Sequence, residues 1–188
     1  MAGRILFQRV QPIINIVYVL FKILPVSFRK LIWQVSNVFP GVLGVGLRYC
    51  IAKTLADKMG ENVYFSPYII IMNWPRLSIG NNVSIHEFCY IDALGGIEIE
   101  DNVSIAHGVS LVSFDHSWDD MSTPIKYNPV KIAPIKICSD VWIGCGAKIL
   151  KGVKVGPRTI VGAGAVVVND APELSLVCGN PAREKKRL

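Results

Sequence analysis

The chain has 188 residues, of which 51% are hydrophobic and 18% are charged. This composition excludes a disordered chain, and 16 glycines without a triplet period exclude collagen. The formal net charge of +6 is unevenly placed, because residues 1–60 carry eight Lys or Arg and one acid, whereas residues 61–188 carry twelve bases and thirteen acids. A basic N-terminal segment of this kind predicts contact with an anionic surface.

The N-terminal segment contains an apolar run of fourteen residues, 13–26, that reads IINIVYVLFKILPV. A membrane-spanning helix needs about 20 apolar residues, and this run includes Asn15 and Lys22. No signal-peptide cleavage site follows it, and no Arg/Lys cluster with interleaved aromatics indicates nucleic acid. We predict that residues 1–60 form a basic, apolar helical segment that contacts a membrane or packs on the rest of the assembly. The predicted location is cytoplasmic, peripheral on the inner membrane face.

An aliphatic residue recurs every six positions along two stretches of the chain, with a slip of two residues inside the earlier stretch. A helix would repeat every ~3.6 residues and a strand every two, so this period predicts short strands joined by corners, three to a coil. Stacked coils form a solenoid with a continuous core, and these side chains are expected to point into it. The aliphatic residues are Ile79, Ile85, Ile91, Ile97, Ile99, Ile105, Leu111, Ile137, Ile143, Ile149, Val155, Val161 and Val167.

The stretch VWIGCGAKILKGVKVGPRTIVGAGAVVVND, followed by GNPAR, resembles the hexapeptide-repeat O-acetyltransferases. It is similar to the maltose, galactoside and xenobiotic acetyltransferases and to those of capsule or exopolysaccharide synthesis. The resemblance implies an all-β, left-handed parallel β-helix over residues 61–188, acetyl-CoA as acyl donor without a metal, and a homotrimer with active sites between subunits. It also implies a sugar acceptor, and the basic, apolar N-terminus favours a lipid-linked glycan.

Residues 112–136 interrupt the repeat, and such an insertion is expected to protrude from a regular solenoid as a loop. The loop contains His116, and an imidazole is well suited to take a proton from a hydroxyl near neutral pH. In the enzymes that the chain resembles, the catalytic histidine lies in this loop, so His116 is the predicted general base. Asp115, Asp119 or Asp120 could orient the imidazole, and the sequence does not choose among them.

The resemblance implies a groove for acetyl-CoA along the second block of repeats. In that groove, the indole of Trp142 would pack against the pantetheine arm, and the backbone amide of Cys145 would meet the thioester oxygen. Arg183 would lie near the anionic nucleotide end of the donor. The predicted donor-binding residues are Trp142, Cys145, Ala163, Val168, Asn169, Arg183 and Lys186.

Candidate acceptor-binding residues lie before the loop and within it. Asp92 could hydrogen-bond a sugar hydroxyl or satisfy a corner of a coil, and both interpretations stay open. His86 follows an inward residue, so it is expected to face outward, where it could form a wall of the acceptor site. Trp118 could stack on a sugar ring, and Asp115 completes the predicted substrate-binding set.

Two other functions are compatible with the repeat. A β-helix alone explains packing, so a non-catalytic scaffold or binding protein would keep the repeat without binding coenzyme A. Gamma-type zinc carbonic anhydrases share the fold and use three histidines, but His86, His107 and His116 are separated by 21 and 9 residues and form no H-x4-H pattern. Five cysteines without a C-x-x-C pair predict free thiols rather than disulfides or a zinc site.

Overall fold

A helical cap precedes the first strand of the protein. The computed structural model describes the backbone of residues 2–188 and the side chains of residues 10–188, so the basic side chains of Arg4 and Arg9 lie outside the described residues. None of the described helices is long and apolar enough to cross a membrane. The cap consists of α1 (Ala2–Ile23), α2 (Val26–Val35), a 3-10 turn (Ser36–Val38) and α3 (Gly41–Leu55).

Short strands after the cap form three mainly parallel sheets, which are the faces of a solenoid of about six coils. The first face contains β1 (Lys58–Met59), β4 (Leu77–Ile79), β7 (Ile97–Ile99), β12 (Ile135–Ile137) and β15 (Lys154–Val155). The second contains β2 (Tyr64–Phe65), β5 (Ser84–Ile85), β8 (Ser104–Ile105), β13 (Trp142–Ile143), β16 (Ile160–Val161), β18 (Ser175–Gly179) and, antiparallel to β18, β19 (Ala182–Arg187). The third contains β3 (Ile70–Met72), β6 (Tyr90–Asp92), β9 (Ser110–Val112), β14 (Lys148–Leu150) and β17 (Val166–Val167). A separate antiparallel hairpin is built from β10 (Phe114–His116) and β11 (Val130–Ile132).

The aliphatic residues of the six-residue period form the core of the solenoid, and every one of them is buried. The predicted β-solenoid with an N-terminal helical segment is therefore confirmed. The slip in the period lies on the first face, where β7 turns both Ile97 and Ile99 into the core. Paired positions on β2 and β5 are twenty residues apart along the chain, whereas those on β13 and β16 are eighteen apart.

Corners between the first and second faces carry a ladder of asparagines. Asn62, Asn82 and Asn102 have left-handed φ angles of 54°, 56° and 60°, a conformation that asparagine adopts more readily than most residues. Nδ2 of Asn62 donates to Oδ1 of Asn82 at 3.0 Å, and Nδ2 of Asn82 donates to Oδ1 of Asn102 at 3.1 Å. The ladder thus links the first three coils through side chains as well as through the backbone.

One buried arginine and a set of aromatic side chains hold the helical cap on the first coil. Arg48 of α3 is 2% exposed, and its Nε donates to the carbonyl of Phe65 at 2.8 Å. Its Nη1 donates to the carbonyls of Ser36 at 2.8 Å and Phe39 at 3.2 Å. Trp33 of α2 packs edge-on against Phe65, with 5.5 Å between ring centroids. Because Arg48 joins α3, the 3-10 turn and β2, the cap has a fixed position on the solenoid.

Two neighbouring isoleucines of β3 test which side chains point into the core of the solenoid and which point to solvent. Ile71 is 6% exposed, so Ile71→Ala is expected to lower the free energy of unfolding by about 2–5 kcal/mol, because it leaves a cavity in the core. Ile70 is 55% exposed, and the matched Ile70→Ala change is expected to cost about 0.5 kcal/mol or less. Urea unfolding of both variants measures the difference, and equal losses would contradict the assignment.

Candidate functional site

His116 lies at the end of β10, opposite Val130 of β11, and its imidazole is exposed. The base of the loop is held by Ser113, which is fully buried directly after β9. The Ser113 hydroxyl donates to the carbonyl of Asp92 at 2.8 Å and accepts a hydrogen bond from the amide of Gly95 at 2.8 Å. The hairpin that carries His116 therefore leaves the third face from a firmly held point.

Two of the acids predicted to orient His116 form ion pairs with lysines instead. Oδ2 of Asp115 is 3.7 Å from Nζ of Lys151, and Oδ2 of Asp119 is 2.5 Å from Nζ of Lys131. Among residues 10–188, the imidazole of His116 has neither a hydrogen-bond partner nor an ion-pair partner. Within a single chain, the imidazole is therefore free to meet a group from outside.

The third acid, Asp120, shapes the loop itself. Its carboxylate accepts hydrogen bonds from the hydroxyls of Ser122 at 2.6 Å and Thr123 at 2.7 Å, and these bonds lower the pKa of Asp120 to about 2. Nδ2 of the buried Asn128 donates to the carbonyls of Thr123 at 2.8 Å and Asp120 at 3.2 Å. Asp120 and Asn128 thus give the tip of the loop a defined shape.

Two of the predicted donor-binding residues, Cys145 and Ala163, lie at the corner between the second and third faces. The amide of Gly146 donates to the carbonyl of His107 at 3.0 Å, and the amide of Gly164 donates to the carbonyl of Cys145 at 2.8 Å. These bonds connect equivalent corner positions of successive coils. His107, Cys145 and Ala163 consequently form one column along the corner, which we call the donor corner.

Three backbone amides on the donor corner have no acceptor in the described part of the chain: those of His107, Cys145 and Ala163. Trp142, three residues before Cys145 on β13, is 53% exposed. The amides of Cys145 and Ala163, one coil apart and close along the chain or sheet to this exposed indole, suit a thioester oxygen and an extended pantetheine arm. The residues present therefore fit an acyl-CoA donor.

A cleft of about 260 Å³ near the C-terminus brings Asn169 and Arg183 together. Val168 and Lys186 are not among the residues that line it. Two acids, Asp170 and Glu184, also line the cleft, so it is not uniformly positive. The full lining is Val167, Asn169, Asp170, Ala171, Pro172, Val177, Ala182, Arg183 and Glu184.

On the acceptor side, Asp92 is buried at the end of β6. Its Oδ1 accepts hydrogen bonds from Nδ2 of Asn73 at 2.7 Å and from the amide of Leu94 at 3.2 Å. The Tyr90 hydroxyl donates to its Oδ2 at 3.4 Å, and burial together with this carboxylate raises the pKa of Tyr90. Protein groups at a corner thus satisfy Asp92, whereas Trp118 in the loop is 61% exposed and open to a ligand.

Glu87 is a candidate acceptor-side residue that the sequence reasoning did not single out. Hydrogen bonds from its own amide and from the Ser66 hydroxyl lower the pKa of Glu87, and the nearby His86 and His107 add to the effect. Nδ1 of the half-exposed His86 is 4.0 Å from Oε2 of Glu87. The amide of Gly108 donates to the Glu87 carbonyl at 2.9 Å, which stacks Glu87 on His107. Glu87 and His107 are twenty residues apart, which is one coil, so the sequence period could have predicted that they lie next to each other.

The described residues form neither a metal-binding group nor a disulfide. Within the part of the chain that the structure describes, no cluster of three or more His, Cys, Asp or Glu side chains could hold a metal ion. All five cysteines are free thiols. Burial raises the pKa of Cys50 and of Cys89 to about 11, so these two thiols stay protonated near neutral pH.

Comparisons with known proteins agree with the fold. The family model described as bacterial transferase hexapeptide (six repeats) matches residues 134–169. A dTDP-4-amino-4,6-dideoxy-D-glucose acyltransferase of Escherichia coli is 30% identical over 67% of this chain and 79% of its own length. The galactoside O-acetyltransferase of Escherichia coli is 29% identical over 82% of this chain and 74% of its own length.

A solved structure extends the likeness to most of the chain. The hexapeptide-repeat acetyltransferase VCA0836 of Vibrio cholerae, complexed with acetyl-CoA, has a TM-score of 0.75 and 26% identity, and the match covers 86% of each chain. The chain spans 37%, 69% and 44% of three further acetyltransferase relatives. The protein belongs to the hexapeptide-repeat acetyltransferases, a family of enzymes that transfer acyl groups.

Proposed function

We propose that this protein is an acetyl-CoA-dependent O-acetyltransferase that modifies a hydroxyl of a sugar or of a lipid-linked glycan. The observation that carries the proposal is the donor corner, where the free amides of Cys145 and Ala163 lie near the exposed Trp142. Two relatives support it, because one is named a galactoside O-acetyltransferase and the other was solved with acetyl-CoA.

In the proposed reaction, the imidazole of His116 takes the proton of the acceptor hydroxyl while the hydroxyl oxygen attacks the thioester carbonyl. The carbon–sulfur bond then breaks, the imidazolium of His116 gives its proton to the departing sulfur so that coenzyme A leaves as its thiol, and the acceptor becomes an acetyl ester. The amide of Cys145 would stabilise the negative charge on the carbonyl oxygen, and the amide of Ala163 would hold the donor. Asn169 and Arg183 would bind its nucleotide end at the C-terminal cleft.

The remaining predicted site residues are proposed for weaker roles. Val168 and Lys186 would contact the part of the donor that lies outside the cleft, between the pantetheine arm and the nucleotide end. On the acceptor side, Trp118 would stack on a sugar ring, while His86 would form a wall together with Glu87. Asp115 would bind substrate only if its ion pair with Lys151 opens.

We propose a homotrimer in which His116 of one subunit faces the donor corner of its neighbour. The family resemblance implies this arrangement, and it is supported because the His116 imidazole has no hydrogen-bond or ion-pair partner among the described residues of its own chain. A second candidate function is N-acylation of an amino sugar, because one relative is named for a 4-amino sugar nucleotide.

The acceptor atom can be identified by coenzyme A release. We expect thiol release from acetyl-CoA with a galactoside or another neutral sugar, because an imidazole base is needed to activate a hydroxyl. A dTDP-4-amino sugar offers a nucleophile that is already reactive as the free amine, and it serves as the matched competitor. If the thiol is released with the amino sugar and not with the neutral sugar, the proposed activity is N-acylation instead of O-acetylation.

The oligomeric state can be measured by analytical ultracentrifugation beside activity. The proposed site is completed by two subunits, so turnover is expected in the trimer fraction and not in a monomer produced by dilution. A monomeric species with full turnover would contradict the shared site.

Replacement of His116 separates catalysis from donor binding. We expect His116→Ala to lower kcat by roughly 10²–10⁴-fold, because it removes the general base. Acetyl-CoA at about 100 times its dissociation constant should stabilise both wild type and His116→Ala by roughly 2.7 kcal/mol in thermal unfolding.

Cys145→Ser is the matched control for the His116 experiment. It retains the backbone amide and is expected to keep most of the activity, because the proposed mechanism uses the amide and not the thiol. Loss of turnover in Cys145→Ser would indicate a covalent cysteine mechanism. Failure of acetyl-CoA to stabilise either protein would favour a non-catalytic scaffold.

A further inference from the structure

Helix α1 carries apolar side chains on two of its sides. One row packs toward the rest of the protein and includes the buried Ile14 with the partly buried Val17 and Phe21. The other row is exposed to solvent at helical spacing, although a surface helix normally presents polar residues there. That outward row is Ile13, Ile16, Leu20 and Ile23.

Exposed apolar side chains also occur on α2, the 3-10 turn and α3. The most exposed apolar side chains of the cap are Leu43, at 85%, and Ile23, at 76%. An exposed apolar surface of this extent marks an interaction site in a folded protein. We call it the cap surface, and it consists of Ile13, Ile16, Val19, Leu20, Ile23, Val26, Phe28, Leu31, Val35, Val38, Phe39, Val42 and Leu43.

Charge around the cap surface has one sign. Residues 2–55 contain seven Lys or Arg and no Asp or Glu. Lys22 and Lys30 are exposed within the helices, whereas the Arg48 guanidinium is buried in the attachment of the cap. Nζ of Lys22 lies 5.9 Å from the centroid of the Tyr18 ring, and Lys30 is exposed. The cap therefore combines apolar side chains with positive charge that no acid of residues 2–55 neutralises, which matches the interface of an anionic lipid bilayer.

We propose that the cap surface docks in the plane of an anionic lipid membrane. A second copy of the chain would bring the same positive charge against it, so self-association through this surface is opposed electrostatically. No described helix can cross a bilayer, so the helices would lie at the headgroup level with their outward rows among the acyl chains.

The position of the bound membrane relative to the solenoid would be fixed. Arg48 ties the cap to β2, and Oδ1 of Asn37 accepts a hydrogen bond from the amide of Tyr68 at 2.7 Å. The bilayer would therefore lie at the first-coil end of the solenoid. The strand β9, which leads into the hairpin of His116, is two strand spacings, about 10 Å, from β3 of the first coil.

Vesicle flotation of the full-length protein tests the proposal without acetyl-CoA or acceptor. The protein is expected to bind vesicles of phosphatidylcholine and phosphatidylglycerol and to bind vesicles of phosphatidylcholine alone at least about tenfold more weakly. Added salt should weaken the binding to the anionic vesicles. Equal binding to both vesicle types, or binding to neither, would overturn the proposal.

Charge and apolar contact can be tested by separate paired variants. Lys22→Gln with Lys30→Gln should weaken binding about twenty-five-fold, roughly fivefold for each lost charge. Lys126→Gln with Lys154→Gln, exposed lysines outside the cap, should leave binding unchanged. Ile23→Ser with Leu43→Ser should weaken binding by about tenfold or more, whereas Met121→Ser with Ile125→Ser, at loop positions 93% and 62% exposed, should not.

Thermal unfolding and sedimentation complete the experiment. All four double variants change exposed side chains, so their unfolding midpoints should match that of the wild type. If one of the two cap variants does not fold, the other still tests the proposal. Cap variants that bind vesicles as well as their controls would overturn the proposal. A change in oligomeric mass without vesicle binding would identify a second copy as the occupant instead.

Discussion

The register between successive coils is the constraint on which the rest of the structure depends. Strands of two or three residues are too short to be stable alone, and each gains its hydrogen bonds from the strands one coil before and after it. The same register stacks the inward aliphatic residues into one core. A shift of a single residue would turn every inward side chain outward, so hydrophobic burial and backbone pairing enforce the same alignment.

Register also decides which groups can act together. Glu87, His107, Cys145 and Ala163 are far apart along the chain, yet they form one column at a corner because each is carried by an equivalent position. The corner leaves backbone amides without internal partners, and those amides are the groups proposed to bind the donor. A site made from backbone tolerates changes of side chain, which is compatible with a cysteine at position 145.

Two elements depart from the repeat, and each is fastened to it by buried polar groups. The loop that carries His116 is held at its base by Ser113 and at its tip by Asn128. The helical cap is held by Arg48, which donates to three backbone carbonyls. The loop and the cap carry the proposed chemistry and the proposed membrane contact, while the solenoid fixes the distance between them.

The sequence alone determined the solenoid, its buried positions and the protruding loop, because a strict period of six can be satisfied only by repeated short strands with corners. It did not determine the hand of the coil, which came from the family resemblance. Only the tertiary structure showed that Ile97 and Ile99 share one strand and that Asp92 is satisfied by a corner. The tertiary structure was also needed to place Glu87 beside His107, because side chains twenty residues apart become neighbours only after the coils have stacked. It was needed to find the outward apolar row of α1, because a helix row becomes inward or outward only after the cap has packed.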